Sequence, residues 1–225
     1  MYYFLTASKD ASIYLQQPTQ NTGLDEILEV SKTYYGNLKD VARSFIQFDL
    51  NSVSQSIVNN EISLESAALI LRECESSEIP LVYSIYAHPV SQSWEMGIGT
   101  RFDEISGDGL TWNHKSSNTD WLAADSLSLD STGSYNGRGG TWYTGSQSTQ
   151  SFDYSSSDLV IDVKDVVEVW LSGSLPNNGF VIKHDLVFES DSNDYGQLKF
   201  FSKETNTIYQ PKIMIGWDDS SFVTG

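Results

Sequence analysis

The chain has 225 residues, 39% hydrophobic and 12% aromatic, which is enough apolar material for a substantial core without disulfides or metals and too much for a disordered polymer. Thirty acidic residues against 13 basic ones leave a formal net charge of −17. That surface repels phosphate backbones and anionic lipid, so no nucleic acid and no membrane are expected as partners, whereas basic protein surfaces and divalent cations stay compatible with it.

The opening MYYFLTASKD lacks the basic start, long apolar stretch and cleavage site of a secretory signal, and no apolar run approaches the roughly 18 residues of a membrane span. Synthesis in a cytosol is the expectation. Short strand-like runs then follow one another with turn residues between them: Tyr2 to Thr6, Ser12 to Leu15, Ile27 to Ser31, Arg43 to Leu50, Ala67 to Cys74 and Leu81 to His88. The single cysteine, Cys74, excludes an internal disulfide and is read as a small buried hydrophobe in its run. Later runs are Thr141 to Thr144, Leu159 to Val163, Gly179 to His184, Gln197 to Lys203 and Lys212 to Trp217. Many short strands with polar turns predict an all-β protein, an antiparallel β-sandwich of jelly-roll-like form.

Alternation supports this. Ile46, Phe48 and Leu50 oppose Gln47 and Asp49; Phe180 and Ile182 oppose Lys183; Ile213, Ile215 and Trp217 oppose Lys212. Each is the pattern of a sheet half-buried against a second layer. Ala67 to Leu71 is apolar on both faces, which predicts a central strand.

Val163, Val166, Val167, Trp170 and Leu171 follow helical spacing, with Asp162 as the expected N-cap and Gly173 as the residue just past the end. This predicts a short helix closing one end of the sandwich. Asn51 to Glu65 is a second, weaker helical segment. One or two short helices are therefore expected.

Residues 91–150 are rich in Ser, Gly, Asp, Asn and Trp and read as a long loop insertion in a single domain spanning 1–225. Trp94 and Trp112 read as core anchors. Trp121, Tyr135, Trp142 and Tyr143 have two readings, as core side chains or as aromatics that stack on sugar rings or fill a partner's pocket. The glycine-rich stretch Ser134 to Gly140, with Arg138 inside it, lacks the Lys-Ser/Thr ending of a phosphate loop and reads as a flexible turn or docking loop. Trp121, Tyr135, Arg138, Trp142 and Tyr143 are accordingly the candidate interaction residues.

His88, His114 and His184 lack the spacing of a zinc site. The acidic loops at Asp103, Glu104 and Asp108, at Asp191 and Asp194, and at Asp218 and Asp219 are compatible with calcium but lack an EF-hand pattern, so no cofactor is expected. No carboxylate pair or nucleophile is singled out by its surroundings, and the expectation is a protein that is not an enzyme.

An ordered set of segments adds a family-level expectation. RSFIQFDLNSV at Arg43 to Val53, SLESAALILRE at Ser63 to Glu73, SQSWEMG at Ser91 to Gly97 and LTWNHK at Leu110 to Lys115 are followed by LVIDVKDVVEVWLSG at Leu159 to Gly173, NNGFVIKH at Asn177 to His184 and LKFFSKETNTIYQPKIMIGW at Leu198 to Trp217. In this order they resemble the DNRLRE-type β-sandwich family, whose members serve mostly as structural or carbohydrate-binding modules. The excess over the usual module lies largely between Trp112 and Phe152. The two ends of the chain also resemble structural proteins of contractile-tailed cyanophages. These resemblances imply a non-enzymatic virion protein, neck or tail associated, synthesised in the host cytoplasm. Its partners would be other virion proteins and symmetry-related copies of itself. A carbohydrate-binding module for host-surface polysaccharide is the alternative, and a polysaccharide lyase or hydrolase a third reading.

Overall fold

Ile46, Phe48 and Leu50 are all buried in one core cluster, and Gln47 and Asp49 point away from it, as their alternation requires. Ile46 lies on a strand of the larger of two packed antiparallel sheets, and that strand ends at Gln47, so Phe48 and Leu50 are buried just beyond it. The computed structural model describes residues 1–58, 63–122, 131–133, 138–153 and 158–218. In chain order the elements are β1 (Tyr2–Thr6), β2 (Lys9–Tyr14), β3 (Ile27–Tyr35), β4 (Leu38–Gln47), α1 (Asn51–Val58), β5 (Leu64–Leu71), β6 (Glu73–Ser77) and β7 (Val82–Pro89). The insertion contributes β8 (His114–Ser116), β9 (Thr119–Asp120), β10 (Ser131–Gly133), β11 (Thr141–Tyr143) and β12 (Ser148–Asp153). The last part contains β13 (Leu159–Asp162), α2 (Lys164–Leu171), β14 (Phe180–Lys183), α3 (Leu186–Ser190), β15 (Gly196–Phe201) and β16 (Lys212–Trp217).

The smaller sheet has the order β1-β16-β5-β13; the larger runs β12-β7-β14-β4-β3-β15-β6, with β2 also paired to β4. Together they form an all-β antiparallel sandwich. Between them lie Leu28, Val30, Ile46, Ile85, Phe180, Ile182 and Phe200 from the larger sheet, against Leu69, Leu71, Leu159, Ile161, Ile213 and Ile215 from the smaller. The run read as Ala67 to Cys74 is divided near Arg72. β5 enters the smaller sheet and β6 becomes the last strand of the larger, where Cys74 is exposed and its thiol donates to the Lys199 carbonyl at 3.4 Å. The buried-hydrophobe reading of Cys74 fails because the chain changes sheets there.

α2 closes the sandwich as its apolar stripe predicts. Val166, Val167 and Trp170 are buried, and the Trp170 ring lies 4.7 Å from that of Phe180. Val163, not Asp162, occupies the N-cap position, yet the Asp162 carboxylate still accepts from the Lys164 N–H at 3.0 Å. At the other end Gly173 takes φ +74°, and the Gly173 and Ser174 N–H groups donate to the Trp170 and Val169 carbonyls. This left-handed stop favours glycine because it has no Cβ. α1 takes only Asn51–Val58 of the weaker helical segment, whose last residues, Leu64 and Glu65, begin β5; a third helix, α3, begins where the Asp185 carboxylate accepts from the Val187 N–H at 2.8 Å.

The larger sheet is covered on its second face too. Val41, Phe45 and Val181 point away from the first core and pack with Ala11, Ile13, Val90, Trp94, Leu110, Trp112, Trp121 and Trp142. Among the described residues, five of its eleven buried side chains, four of them tryptophans, come from the insertion. Lys183, expected on a solvent face opposite Phe180 and Ile182, is consequently 1% exposed.

Asn21 anchors the covering segment. Fully buried, its side-chain amide donates to the Met96 and Leu110 carbonyls at 2.8 and 2.7 Å, and its oxygen accepts from the Gly23 and Gly99 N–H groups. Gly97, at φ +77°, passes so close that a Cβ there would lie 2.4 Å from the Asn21 oxygen. This amide, whose hydrogen-bonding capacity is fully used, joins the Asn21, Leu24 and Asn113 N–H bonds to the Ser106, Gly99 and Pro18 carbonyls in tying the insertion to the β2–β3 connection.

Candidate interaction surfaces

The five candidate residues separate once they are placed. Trp121, Trp142 and Tyr143 are 4%, 1% and 6% exposed, so the reading of these three as exposed contact aromatics is corrected. They are buried because the outer face of β4 and β14 is itself apolar and needs a cover: Trp121 lies 5.6 Å from Phe45, and Trp94 meets Phe45 edge-on at 5.8 Å. Trp94 and Trp112 are core anchors as expected. Tyr135 lies outside the described residues. Arg138 is exposed, at the mouth of a cavity.

That cavity, about 700 Å³, is walled by Leu15, Pro18, Val41, Trp112, Leu186 and Val187, with Lys39, Arg43, Arg138 and Glu189 as its charged residues. Beneath it Arg43 and Glu189 form a buried two-pronged ion pair. The Arg43 guanidinium lies 4.7 Å from the Trp112 ring and 5.1 Å from that of Trp142, and its Nη1 donates to the Gly139 carbonyl at 2.6 Å. Lys183 reaches the same Glu189 carboxylate at 3.5 Å. Burial lowers the Lys183 ammonium to about 8, although Glu189 pulls it back up. Burial likewise takes the imidazoles of His184 and His88 down to about 4, with Lys183 pushing both in the same direction. Both rings are thus neutral near pH 7. Among the described residues, two cations, Arg43 and Lys183, share the Glu189 carboxylate.

A second depression, about 620 Å³, lies over β3, β15 and β6 on the part of the large sheet's outer face beside the insertion. Its polar floor includes Glu29, Gln197, Lys199 and Glu75. Arg101 pairs with Glu29 and stacks 4.2 Å from the Tyr14 ring, while Phe102 beside it is 90% exposed. Burial raises the Asp25 carboxyl on the rim, and the neighbouring Glu29 charge adds to that.

The third surface is the outer face of the smaller sheet. Register aligns Phe4 with Met214 and Met214 with Ala68, and in the next row Lys212 with Ile70 and Ile70 with Val160. Phe4 is 52% exposed and Val160 51%, with Met214, Ala68 and Ile70 half-buried. Tyr2, 64% exposed, lies over Gly216, where a Cβ would meet the Tyr2 ring at 3.0 Å. The two-sided apolar character of Ala67 to Leu71 is now explained. β5 is an inner strand of its sheet, but its second apolar face looks outward.

Among the described residues no group of three or more His, Cys, Asp or Glu side chains could hold a metal ion. In one acidic loop Asp191 accepts from the Asn193 N–H and the Tyr195 hydroxyl, and Asp194 from the Gly196 N–H. In another, Asp108 accepts from the Ser117 hydroxyl. Asp219 lies outside the described residues.

Arg43, Glu189 and Lys183 were not singled out by their sequence. The signal lay beside them: Val41, Phe45 and Val181 occupy positions that alternation assigns to solvent, and apolar residues there announce a covered face. Compared with known proteins, the chain matches no protein-family model and no curated relative.

Proposed function

We propose that the chain is a non-enzymatic structural protein of a tailed-phage particle, neck or tail associated, held in place by protein–protein contact through the outer face of its smaller sheet. The observation that carries the contact is the apolar row Phe4, Met214 and Ala68 with Ile70 and Val160 beside it. Contiguous apolar surface of this kind marks interaction sites, because water contact at each of these side chains costs free energy that a neighbouring subunit removes. The phage setting is supported by the ordered resemblance of the sequence segments. Neighbours would be other virion proteins and symmetry-related copies of this chain.

The test combines composition with mutation. Mass spectrometry of purified particles should find the protein at a fixed copy number. A Phe4→Lys/Val160→Lys variant, shown by circular dichroism to be folded, should be depleted from particles at least tenfold. Absence of the wild-type protein from particles, or full incorporation of that variant, would falsify the reading.

The glycan-binding alternative has a support of its own, though not the one expected. The tryptophans assigned to it are buried, but Phe102 stands exposed beside the polar floor of Glu29, Gln197 and Lys199. An exposed ring flanking fixed polar groups is an arrangement that can stack on a sugar. Retention on host polysaccharide in affinity electrophoresis, lost in Phe102→Ala, would favour it; no retention on any host envelope polysaccharide counts against it.

A further inference from the structure

We propose that the open edge of β1 is a self-association site, where Tyr2–Thr6 pairs antiparallel with the same strand of a second copy about a two-fold axis at Phe4. This names one neighbour for the contact surface proposed above and rests on that reading only for its place in a particle.

The edge follows from the register. Tyr3 and Leu5 face Ile215 and Ile213 on β16. Met1 and Trp217 exchange hydrogen bonds at one end of this ladder, and the Ala7 N–H donates to the Pro211 carbonyl at the other. Bonded pairs alternate along an antiparallel ladder, so Tyr3 and Leu5 bond to β16, and the N–H and C=O groups of Tyr2, Phe4 and Thr6 point the other way. Among the described residues nothing bonds to those groups. The other strands that end the two sheets are guarded. β6 carries Glu73 and Glu75. β12 and β13 are joined by Gln150, whose side chain accepts from the Val160 N–H at 2.6 Å and donates to the Asp158 carbonyl at 3.1 Å. β1 has no charge, no proline and no bulge along Tyr2–Thr6. An edge of that kind is a template for another strand.

Two features select a second copy as the occupant. The outward groups are symmetric about Phe4. Phe4 would pair with Phe4 of the second copy, and Tyr2 with Thr6, each pair exchanging two hydrogen bonds, so the two strands satisfy each other. Side chains agree on both faces. On the outer face the two Phe4 rings meet and carry the row Phe4, Met214 and Ala68 across the axis; on the inner face Tyr3, 44% exposed at the margin of the core, gains Leu5. The second feature is charge. In a chain of net charge −17, β1 carries none. A basic partner finds no acid in this strand, whereas two copies can join along it without bringing carboxylates together in the ladder. Their overall repulsion remains, so added salt should tighten the association. One strand junction is smaller than the roughly 800 Å² per partner of a standard interface, which places the expected affinity in the upper micromolar range.

The experiment is sedimentation equilibrium of the full chain across the micromolar range, with amide hydrogen exchange in dilute and in concentrated solution. The expected result is a monomer–dimer equilibrium that tightens with salt. The Tyr3 and Leu5 amides should be protected throughout, and those of Tyr2, Phe4 and Thr6 only in the concentrated sample. Thr6→Pro deletes an outward donor without touching a bond to β16 and should weaken the dimer about tenfold or more, whereas Thr6→Val keeps the N–H and should associate as the wild type does. Phe4→Lys sets two like charges opposite each other and should weaken it as well. Val160→Lys, on the far strand β13, should leave it unchanged. A monomer at every concentration, protection of Tyr2, Phe4 and Thr6 already in dilute solution, or a dimer that folded Thr6→Pro leaves intact would each overturn the proposal. A monomer would leave the face contact with other virion proteins standing, since that is read from incorporation into particles.

Discussion

Arg43 and Glu189, 146 residues apart in the chain, meet in a buried pair with Nε–Oε1 at 3.1 Å and Nη2–Oε2 at 2.5 Å. β4 supplies the arginine and α3 the glutamate, so the pair pins α3 to the outer face of the large sheet. Lys183 shares the same carboxylate, and the two partners are for that reason not equivalent. Arg43→Met leaves Glu189 with Lys183, whereas Glu189→Gln removes the carboxylate that both cations share. Breaking a buried pair costs about 3–5 kcal/mol. Urea unfolding should place Glu189→Gln at or above the upper end of that range and Arg43→Met at or below the lower end.

Asn21 should be nearly as sensitive. Asn21→Ala removes the partners of the Met96 and Leu110 carbonyls and of the Gly23 and Gly99 N–H groups. Leaving buried backbone groups unpaired costs about 1–3 kcal/mol each, partly recovered if water enters. The expected loss is about 3 kcal/mol in chemical denaturation, with cleavage by a protease at low concentration appearing first within 96–110.

The pH dependence of stability has a sign that the buried groups set. His184 and His88 are held near 4 in the folded chain against an ordinary 6.5, so between those values the unfolded chain binds more protons, and stability rises with pH. Asp10 acts in the opposite direction. Burial raises it to about 7 against its ordinary 3.8, despite the Lys203 N–H that it accepts, so from about pH 4 to 7 the folded chain holds the extra proton and stability falls as pH rises. Asp10→Asn removes the opposing group. Near pH 5 its unfolding free energy should rise with pH more steeply than the wild type's, by about 1.4 kcal/mol per pH unit. Denaturation curves at pH 4.5, 5.0 and 5.5 measure the difference.

Two of the candidate residues should part company on mutation. Trp142→Ala empties a site in contact with Arg43, Lys183 and His88 and should cost about 3–5 kcal/mol. Arg138→Ala, on the surface, should change stability by no more than about 1 kcal/mol. Differential scanning calorimetry on both variants distinguishes core from rim directly.

How much of this was legible in the sequence differs by element. β1 and β16 match their predicted runs residue for residue, because turn residues bound each apolar stretch. α2 was legible from its stripe and its Gly173 stop. The fate of the insertion was not. Its Ser, Gly, Asp and Asn content is that of a surface loop, and only its tryptophans, read together with Phe45 and Val181 on the far side of distant strands, indicate a second core. That information is non-local, so no window along the chain contains it. Lys183 fails for the same reason: a lysine in alternation reads as solvent-facing unless the cover is known. Glu189, on a five-residue helix, carried no pattern at all.

Trp94, Leu110, Trp112, Trp121 and Trp142 belong to the folded core, so the segments that carry them are not a loop laid over it. Native-state hydrogen exchange reads this out. The Leu110, Asn113 and Gly139 amides, bonded to the Glu95, Pro18 and Trp112 carbonyls, should exchange with opening free energies within about 1 kcal/mol of the β4 amides. Exchange of those three at the rate of an unfolded chain, while β4 remains protected, would contradict it.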